Sequence, residues 1–132
     1  MSSFHLQIVT PDGEFFDGPA QRVRVRTIGG DVAILAGHIP YVTALGIGEA
    51  AVTTEDGTVR KAAANGGMLS VTSEMVRVVA TTFEWAEDID LARAQRAKEK
   101  AEERIKKAQN AKDLELAKVK LSRALVRLNV GK

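Results

Sequence analysis

The sequence predicts an α+β protein, with an N-terminal β-sandwich of about ten short strands followed by a C-terminal antiparallel two-helix hairpin. Residues 1–84 alternate apolar and polar side chains in short runs between glycine-rich turns, whereas residues 85–132 repeat apolar side chains every three or four positions. The charge changes at the same point. Residues 1–84 carry 6 basic and 9 acidic groups (net −3), and residues 85–132 carry 13 basic and 8 acidic groups (net +5). We therefore expect two domains, 1–84 and 85–132.

The strands of the first domain are predicted from period-two alternation bounded by turn residues. They fall at residues 4–8, 23–26, 31–35, 49–54, 58–64, 68–71 and 75–80. Turn residues separate them at Pro11-Asp12-Gly13, Glu55-Asp56-Gly57 and Asn65-Gly66-Gly67. Many short strands with such turns are typical of a β-sandwich or flattened barrel.

The first helix is predicted to start at Glu87-Asp88-Ile89-Asp90, where acidic side chains favour the helix dipole and accept hydrogen bonds from free amides. Neither glycine nor proline interrupts the chain from there to Gln109. One small apolar stripe follows, at Ala94, Ala97, Ala101, Ile105 and Ala108. Because it is mostly alanine, we expect a closely approaching partner helix and weak attachment.

The second helix is predicted from about Asp113 to Asn129, after a turn at residues 109–112. Its stronger apolar stripe is Leu114, Ala117, Leu121, Ala124, Leu125 and Leu128, and its thinner one is Leu116, Val119, Val126 and Val130. Two stripes indicate two neighbours, which we expect to be the first helix and the sandwich, or a different partner protein once the hairpin opens. Which stripe faces the first helix stays open at this point.

Composition excludes several classes of protein. The chain has no cysteine, so disulfides and thiolate metal sites are excluded. No apolar run approaches the ~20 residues of a membrane span, and the N-terminus lacks the order of a signal peptide. No G-x-x-x-x-G-K-S/T phosphate loop occurs, and His5 and His38 form neither a triad nor a metal site. We expect a chain that is not an enzyme.

Three motifs resemble those of one known family. Residues 30–40, GDVAILAGHIP, resemble the "GE-x-GILPGHAP" segment of the epsilon subunit of bacterial rotary ATP synthases. Residues 65–71, NGGMLSV, resemble its "SGGFLEV", and Glu87-Asp88-Ile89-Asp90 with Arg93-Ala94 resembles its "EDID-x-x-RA". The motifs occur in the family's order and spacing over essentially the whole chain.

The resemblance implies a non-catalytic central-stalk subunit, peripheral on the cytoplasmic side of a bacterial cell membrane. Its implied partners are the gamma subunit, the ring of c subunits and, with an extended hairpin, the alpha/beta catalytic head. The implied role is to couple the head to the c ring and to inhibit ATP hydrolysis through a hairpin that folds or extends. No cofactor is obligatory, but ATP with Mg is an implied regulatory ligand of the folded hairpin.

The resemblance also implies a nucleotide-binding set. Its members are Glu84, Asp90, Arg93, Ala94, Lys100, Arg123 and Arg127. Lys100 stands where the family often has arginine, so a compact lysine ammonium group replaces a planar guanidinium group that can donate two parallel hydrogen bonds. The structural alternatives are that Asp90 only favours the helix dipole and pairs with Arg93 one turn on, and that Arg123 and Arg127 form a solvated basic face.

Partner contacts are implied at Asp31 and His38, for the c ring and gamma, and at Arg104 and Lys107 for the catalytic head. The structural alternative for His38 is a histidine that only belongs to a turn. Arg104 and Lys107 form a basic run with Lys106, Lys118 and Lys120, and the structural alternative for this run is a solvated surface. A different class of function is a basic helical hairpin that binds nucleic acid or anionic membrane. The interspersed acidic residues and the few aromatic residues weigh against it.

Overall fold

The computed structural model describes residues 2–132. Its elements, in chain order, are β1 (Phe4–Thr10), β2 (Gly13–Thr27), β3 (Gly30–Leu35), β4 (Tyr41–Ala44), β5 (Ile47–Thr54), β6 (Val59–Val71), β7 (Val76–Trp85), a 3₁₀ turn (Ala86–Asp88), α1 (Leu91–Lys107) and α2 (Ala111–Gly131). The chain divides into a strand unit that ends at Trp85 and a helical unit, Ala86–Lys132. The sequence placed this boundary one residue earlier, because β7 continues to Trp85.

The predicted α+β class, with strands first and a helical hairpin second, is confirmed. Seven strands take the place of about ten, because β2 and β6 are 15 and 13 residues long and each pairs with several neighbours in succession. The sheet order is β1-β7-β6-β5-β2-β3, with β4 on β6 and a further pairing of β1 with β2. The β1–β7 pair is parallel and the other pairs are antiparallel. The β1–β2 pairing closes the sheet into the expected flattened barrel.

The core of the strand unit is made of inward-facing side chains from these strands. Leu6, Val23, Val52, Leu69 and Val78 have no exposed surface. Burial of an aliphatic side chain of this size contributes about 1.5–3 kcal/mol. At one end of the core the rings of Phe83 and Trp85 stack edge to face, with their centroids 4.9 Å apart. The Arg60 guanidinium covers the Trp85 ring at 3.8 Å.

The hairpin predicted around Glu55-Asp56-Gly57 is present between β5 and β6. The turn predicted at Asn65-Gly66-Gly67 is wrong, because β6 runs through these residues without interruption. Gly66 and Gly67 have φ values of +66° and +104°, and they lie where the partner of β6 changes from β5 to β4. Two glycines therefore bend one long strand instead of ending it.

Both helices begin at side-chain caps. Asp90 caps α1, and the Asn110 side chain accepts a hydrogen bond from the Asp113 backbone N–H at 2.9 Å, at the start of α2. The second helix starts two residues before its predicted start and ends two residues after its predicted end. Among residues 2–132, no helix is long and apolar enough to cross a membrane.

Candidate functional site

Asp90, one of the acidic residues before α1, caps the start of this helix. The Asp90 carboxylate accepts a hydrogen bond from the backbone N–H of Arg93 at 3.0 Å. A carboxylate here satisfies one free amide and favours the positive end of the helix dipole. Helix capping by the Asp90 side chain accounts for this contact. The following Arg93 side chain is exposed and Ala94 is buried.

The two helices meet along a seam of small side chains. Ala94, Ala101, Ala117 and Ala124 are each at most 3 % exposed. Half-buried side chains follow them at steps of three and four: Lys98, Ile105, Ala108, Leu114, Leu121 and Leu128. Because an alanine side chain is a single methyl group, the helices can approach closely while little apolar area leaves water.

The predicted stripe of α1 is corrected at one position. Ala97 is exposed, and the half-buried Lys98 takes the seam position beside it. On α2 the stronger stripe supplies Ala117 and Ala124, so this stripe contributes the seam alanines. Near the end of α2, a Cβ added to Gly131 would lie 2.8 Å from Leu91 Cδ2, so the last turn of α2 approaches the first turn of α1.

A cleft of about 220 Å³ opens on one flank of this seam. Its lining residues are Ala97, Lys100, Ala101 and Arg104 from α1, and Lys120, Arg123 and Arg127 from α2. Three members of the predicted nucleotide set are thereby brought together, namely Lys100, Arg123 and Arg127. Arg104 had been assigned to partner contact, and Lys120 had been left in the general basic run.

The electrostatics of the cleft favour an anion. Five of its seven lining residues are basic and none is acidic. The Nε of Arg123 is buried and has no hydrogen-bond partner within the described residues. An unsatisfied buried donor costs about 1–3 kcal/mol, and neighbouring cations raise each other's energy. An anion bound among them would relieve both penalties.

The structure does not bring the whole predicted set to this cleft. Glu84 lies on β7 of the strand unit, while Asp90, Arg93 and Ala94 are in the first residues of the helical unit and do not line the cleft. Arg127 shares the cleft with Ala97 and Lys100. The linker at 108–110 is extended at both ends, so it carries the chain past the end of α1 before α2 begins.

Two other predicted contact residues have defined surroundings. The Asp31 carboxylate on β3 lies 3.7 Å from one Arg24 nitrogen and 3.6 Å from one Arg26 nitrogen on the adjacent strand. The Lys107 ammonium lies 2.9 Å from Glu103, one turn away on α1, and lowers the pKa of that carboxyl below its ordinary value. Asp31 and Lys107 are therefore already paired within the chain.

His38 lies beside a pocket of about 480 Å³ in the strand unit. Its Nδ1 is 2.7 Å from the Ile39 carbonyl oxygen, so Nδ1 carries the proton that it donates there. The Nε2 is buried and has no hydrogen-bond partner among residues 2–132. His5 also lines this pocket and pairs with Asp17. No group of three or more His, Asp or Glu side chains that could hold a metal ion occurs in the described part of the chain.

Sequence reasoning missed an exposed apolar face on the strand unit. The strand register puts Ala44, Met68, Val79 and Val9 in one row across β4, β6, β7 and β1, with Val42 next to Ala44 on the same side. Val42, Met68 and Val79 are 60, 50 and 42 % exposed. We call these five residues the outer apolar face. The available signal was Val78-Val79, where strict alternation would place a polar side chain outward.

Two family models together match nearly the whole chain. "ATP synthase, Delta/Epsilon chain, beta-sandwich domain" matches residues 3–86, and "ATP synthase, Delta/Epsilon chain, long alpha-helix domain" matches residues 87–132. The ATP synthase epsilon chain of Bacillus velezensis is 42 % identical over 131 residues, covering 99 % of this chain and 98 % of the relative. That of Ruminococcus albus is 37 % identical over 132 residues, with coverages of 99 % and 98 %.

Two solved assemblies contain chains with the same fold. One is the Euglena gracilis mitochondrial ATP synthase OSCP/F1/c-ring, with a TM-score of 0.84 and 21 % identity over 98 % of this chain and 81 % of the other. The other is the Tetrahymena thermophila mitochondrial ATP synthase central stalk/c-ring, with a TM-score of 0.67 and 16 % identity over 99 % and 98 %. At these identities the likeness concerns the fold.

Proposed function

This chain belongs to the ATP synthase epsilon-chain family, and from that premise we propose that its helical hairpin regulates ATP hydrolysis by the catalytic head and senses ATP. Members of the family are non-catalytic subunits of the central stalk. The strand unit then serves as the anchor, and the hairpin serves as the regulatory element. The observation that carries the regulatory role is the five-cation cleft on the flank of the hairpin seam.

The seam suits a hairpin that opens. Its most buried side chains are alanines, so separating the helices exposes few carbon atoms and needs little free energy. A ligand that binds only the closed hairpin shifts such a balance by its differential affinity, and a few kcal/mol is sufficient. In the proposed extended state, Arg104 and Lys107 meet acidic surfaces of the catalytic head, a contact that salt would weaken.

ATP is the proposed closing ligand. Its phosphates would lie among Lys100, Arg123 and Arg127, where guanidinium forks can hold phosphate oxygens in pairs. Asp90 and Arg93 would then act by fixing the start of α1, because their observed hydrogen bond caps that helix.

A titration of the isolated chain with MgATP, followed by amide chemical shifts, tests this site. We expect the largest changes at Ala97, Ala101 and Arg123. Lys100→Arg should tighten binding about threefold or more, because a planar fork replaces a point charge. Lys118→Arg, on α2 but outside the cleft, is the matched control and should change nothing. If no amide chemical shift of the hairpin changes up to millimolar MgATP, the proposed ATP site is wrong.

Regulation itself is tested in the assembled complex. A chain that ends at Trp85 should still assemble but should leave ATP hydrolysis less inhibited than the full chain does. Equal hydrolysis with the full and shortened chains would contradict the regulatory role.

The outer apolar face is the proposed dock for the gamma subunit, since an exposed apolar patch on a stable sheet commonly marks a protein partner. His38 is proposed to contact gamma as well, and Asp31 is proposed to contact the c ring.

Charged side chains at Met68 and Val79 (M68K/V79K) should abolish co-purification with gamma. Val59→Lys is the control, because Val59 is 56 % exposed and lies outside this face. Undiminished co-purification of the double variant would exclude this dock.

A further inference from the structure

We propose that Met68 is an oxidation site that controls docking of this chain to gamma. A hydroperoxide converts its thioether to a sulfoxide, and a chain that carries the sulfoxide docks poorly. The inference rests on the proposed function, since it takes the outer apolar face as the dock for gamma. Its consequence is that a chain oxidised before assembly stays out of the complex until the sulfoxide is reduced.

The position of Met68 in the outer apolar face is the first reason. The strand register places it on β6 between Ala44 of β4 and Val79 of β7. Methionine is the largest side chain of this face, whose other members are valines and one alanine, and Met68 is 50 % exposed. A hydroperoxide in solution can therefore reach Met68 in the free chain, whereas a docked partner would cover it.

The chemistry of the thioether is the second reason. The sulfur attacks the outer oxygen of the hydroperoxide, so that an S–O bond forms as the O–O bond breaks. The hydroperoxide proton goes to the departing oxygen, which leaves as water or as an alcohol. Sulfur loses a pair of electrons and the peroxide gains it. A flexible apolar side chain thereby becomes a polar, chiral one, and thiol-dependent reductases reverse the change.

The surroundings of Met68 are the third reason. Ala44 and Val79, its neighbours across the two ladders, carry no side-chain hydrogen-bond donor. A sulfoxide oxygen covered by a partner at this point would be a buried acceptor without a donor, which is unfavourable. Leu69, the next residue of β6, has no exposed surface and faces the core, so Met68 faces outward. Oxidation of Met68 should therefore alter the dock and leave the core intact.

Met75 provides an internal comparison. It lies between the end of β6 and the start of β7, outside the outer apolar face, and it is half-buried. Its sulfur lies 3.8 Å from the Arg77 Nη2, which donates to it. We expect Met75 to oxidise more slowly than Met68, and its sulfoxide to leave docking unchanged.

Binding of the full chain to an assembly of the catalytic head and gamma that lacks this chain tests the inference. The chain is first treated with hydrogen peroxide and then freed of it, so that the partners are never oxidised. Peptide mass spectrometry should find the added oxygen atom at Met68 before Met75. The dissociation constant should rise about tenfold or more. Methionine sulfoxide reductases A and B, which act on opposite sulfoxide epimers, should together restore the original constant.

Variants then locate the effect. Met68→Leu keeps an apolar side chain of similar volume but has no sulfur, so it should bind equally well before and after peroxide treatment. Met75→Leu is the matched control, because it removes a sulfur outside the face and keeps Met68. It should lose affinity on peroxide treatment as the unsubstituted chain does.

The outcomes separate the two proposals. A loss of affinity that persists in Met68→Leu, or that the reductases do not reverse, would overturn the inference, because the damage would then lie elsewhere. Resistance of Met68 to peroxide would also overturn it. If the sulfoxide at Met68 leaves affinity unchanged while M68K/V79K abolishes docking, the inference fails and the dock stands. If M68K/V79K docks normally, the dock fails and the inference fails with it.

Discussion

At the scale of single residues, Gly67 is the glycine at which the surrounding backbone leaves the least room for a side chain. Its φ of +104° is unfavourable for any side chain, and a Cβ there would lie 1.8 Å from the Val79 carbonyl oxygen on the neighbouring strand. Because the obstructing atom belongs to the backbone of the sheet, a side-chain rotation cannot make room. Only glycine fits without moving β7.

Gly67→Ala should lower the free energy of unfolding by about 3 kcal/mol, through backbone strain plus displacement of β7. Gly13→Ala is the comparison, because Gly13 also has positive φ but an added Cβ would meet nothing within 4 Å. It should cost about 1 kcal/mol. Urea denaturation of both variants measures the difference, and equal losses would refute the steric argument.

Asp56 predicts a pH dependence. Hydrogen bonds from the Thr54 hydroxyl and the Thr58 backbone N–H lower the pKa of this carboxyl below its ordinary 3.8. Its contribution to stability is therefore complete above 3.8 and is lost as the pH falls through the lower folded-state pKa. Asp56→Asn should reduce the fall in thermal stability between about pH 5 and pH 2. A carboxyl chemical-shift titration measures the pKa directly, and a midpoint at or above 3.8 would contradict the prediction.

At the scale of elements, the alanine seam determines how the hairpin is held. Ala101 and Ala124 are buried on facing helices, and the neighbouring seam positions are only half-buried. A larger side chain at the centre has nowhere to go except between the helices.

Ala124→Leu should therefore destabilise the hairpin by about 1–3 kcal/mol. Amide hydrogen exchange should accelerate throughout residues 91–131 while the amides of β6 and β7 keep their protection, which provides the internal reference. Ala92→Leu, at an exposed position of α1, should change exchange little. If amide exchange is unchanged in Ala124→Leu, the seam accommodates a leucine side chain and the prediction is wrong.

The elements also show how far the sequence could be interpreted. Alternation and turn residues located most of the strands, and the acidic start and alanine repeat located α1, because these patterns reflect local geometry. β4 and the first ten residues of β2 were not predicted. The continuity of β6 through Asn65-Gly66-Gly67 was not predictable, since glycines favour a turn and a bend equally. The cleft was predicted only in part. Lys100, Arg123 and Arg127 share it, but which faces of the two helices meet depends on three linker residues that carry no periodic signal.

At the scale of the whole molecule, the buried residues form two separate groups. The large apolar cluster contains only residues up to Trp85. The buried residues of the helical unit are Ala94, Ala101, Ala117, Ala124 and Val130. The first group contains large aliphatic and aromatic side chains, and the second is mostly methyl groups, so their contributions to stability differ greatly.

A fragment that ends at Trp85 should fold cooperatively, whereas residues 86–132 alone should be only partly helical, because two short helices with little burial are marginal in water. Circular dichroism melting of the two fragments measures this. A fragment 86–132 with a sharp, fully helical melt would contradict the expectation, as would a fragment 1–85 without a transition.

The chain has a single tryptophan, and it is the last residue of β7, packed on Phe83 and covered by the Arg60 guanidinium. Trp85 is 6 % exposed and belongs to the apolar cluster of the strand unit. Ultraviolet emission from this one ring therefore provides a built-in optical readout of that cluster. Its wavelength should move to the red when the cluster opens, so folding of the strand unit can be followed without any attached dye.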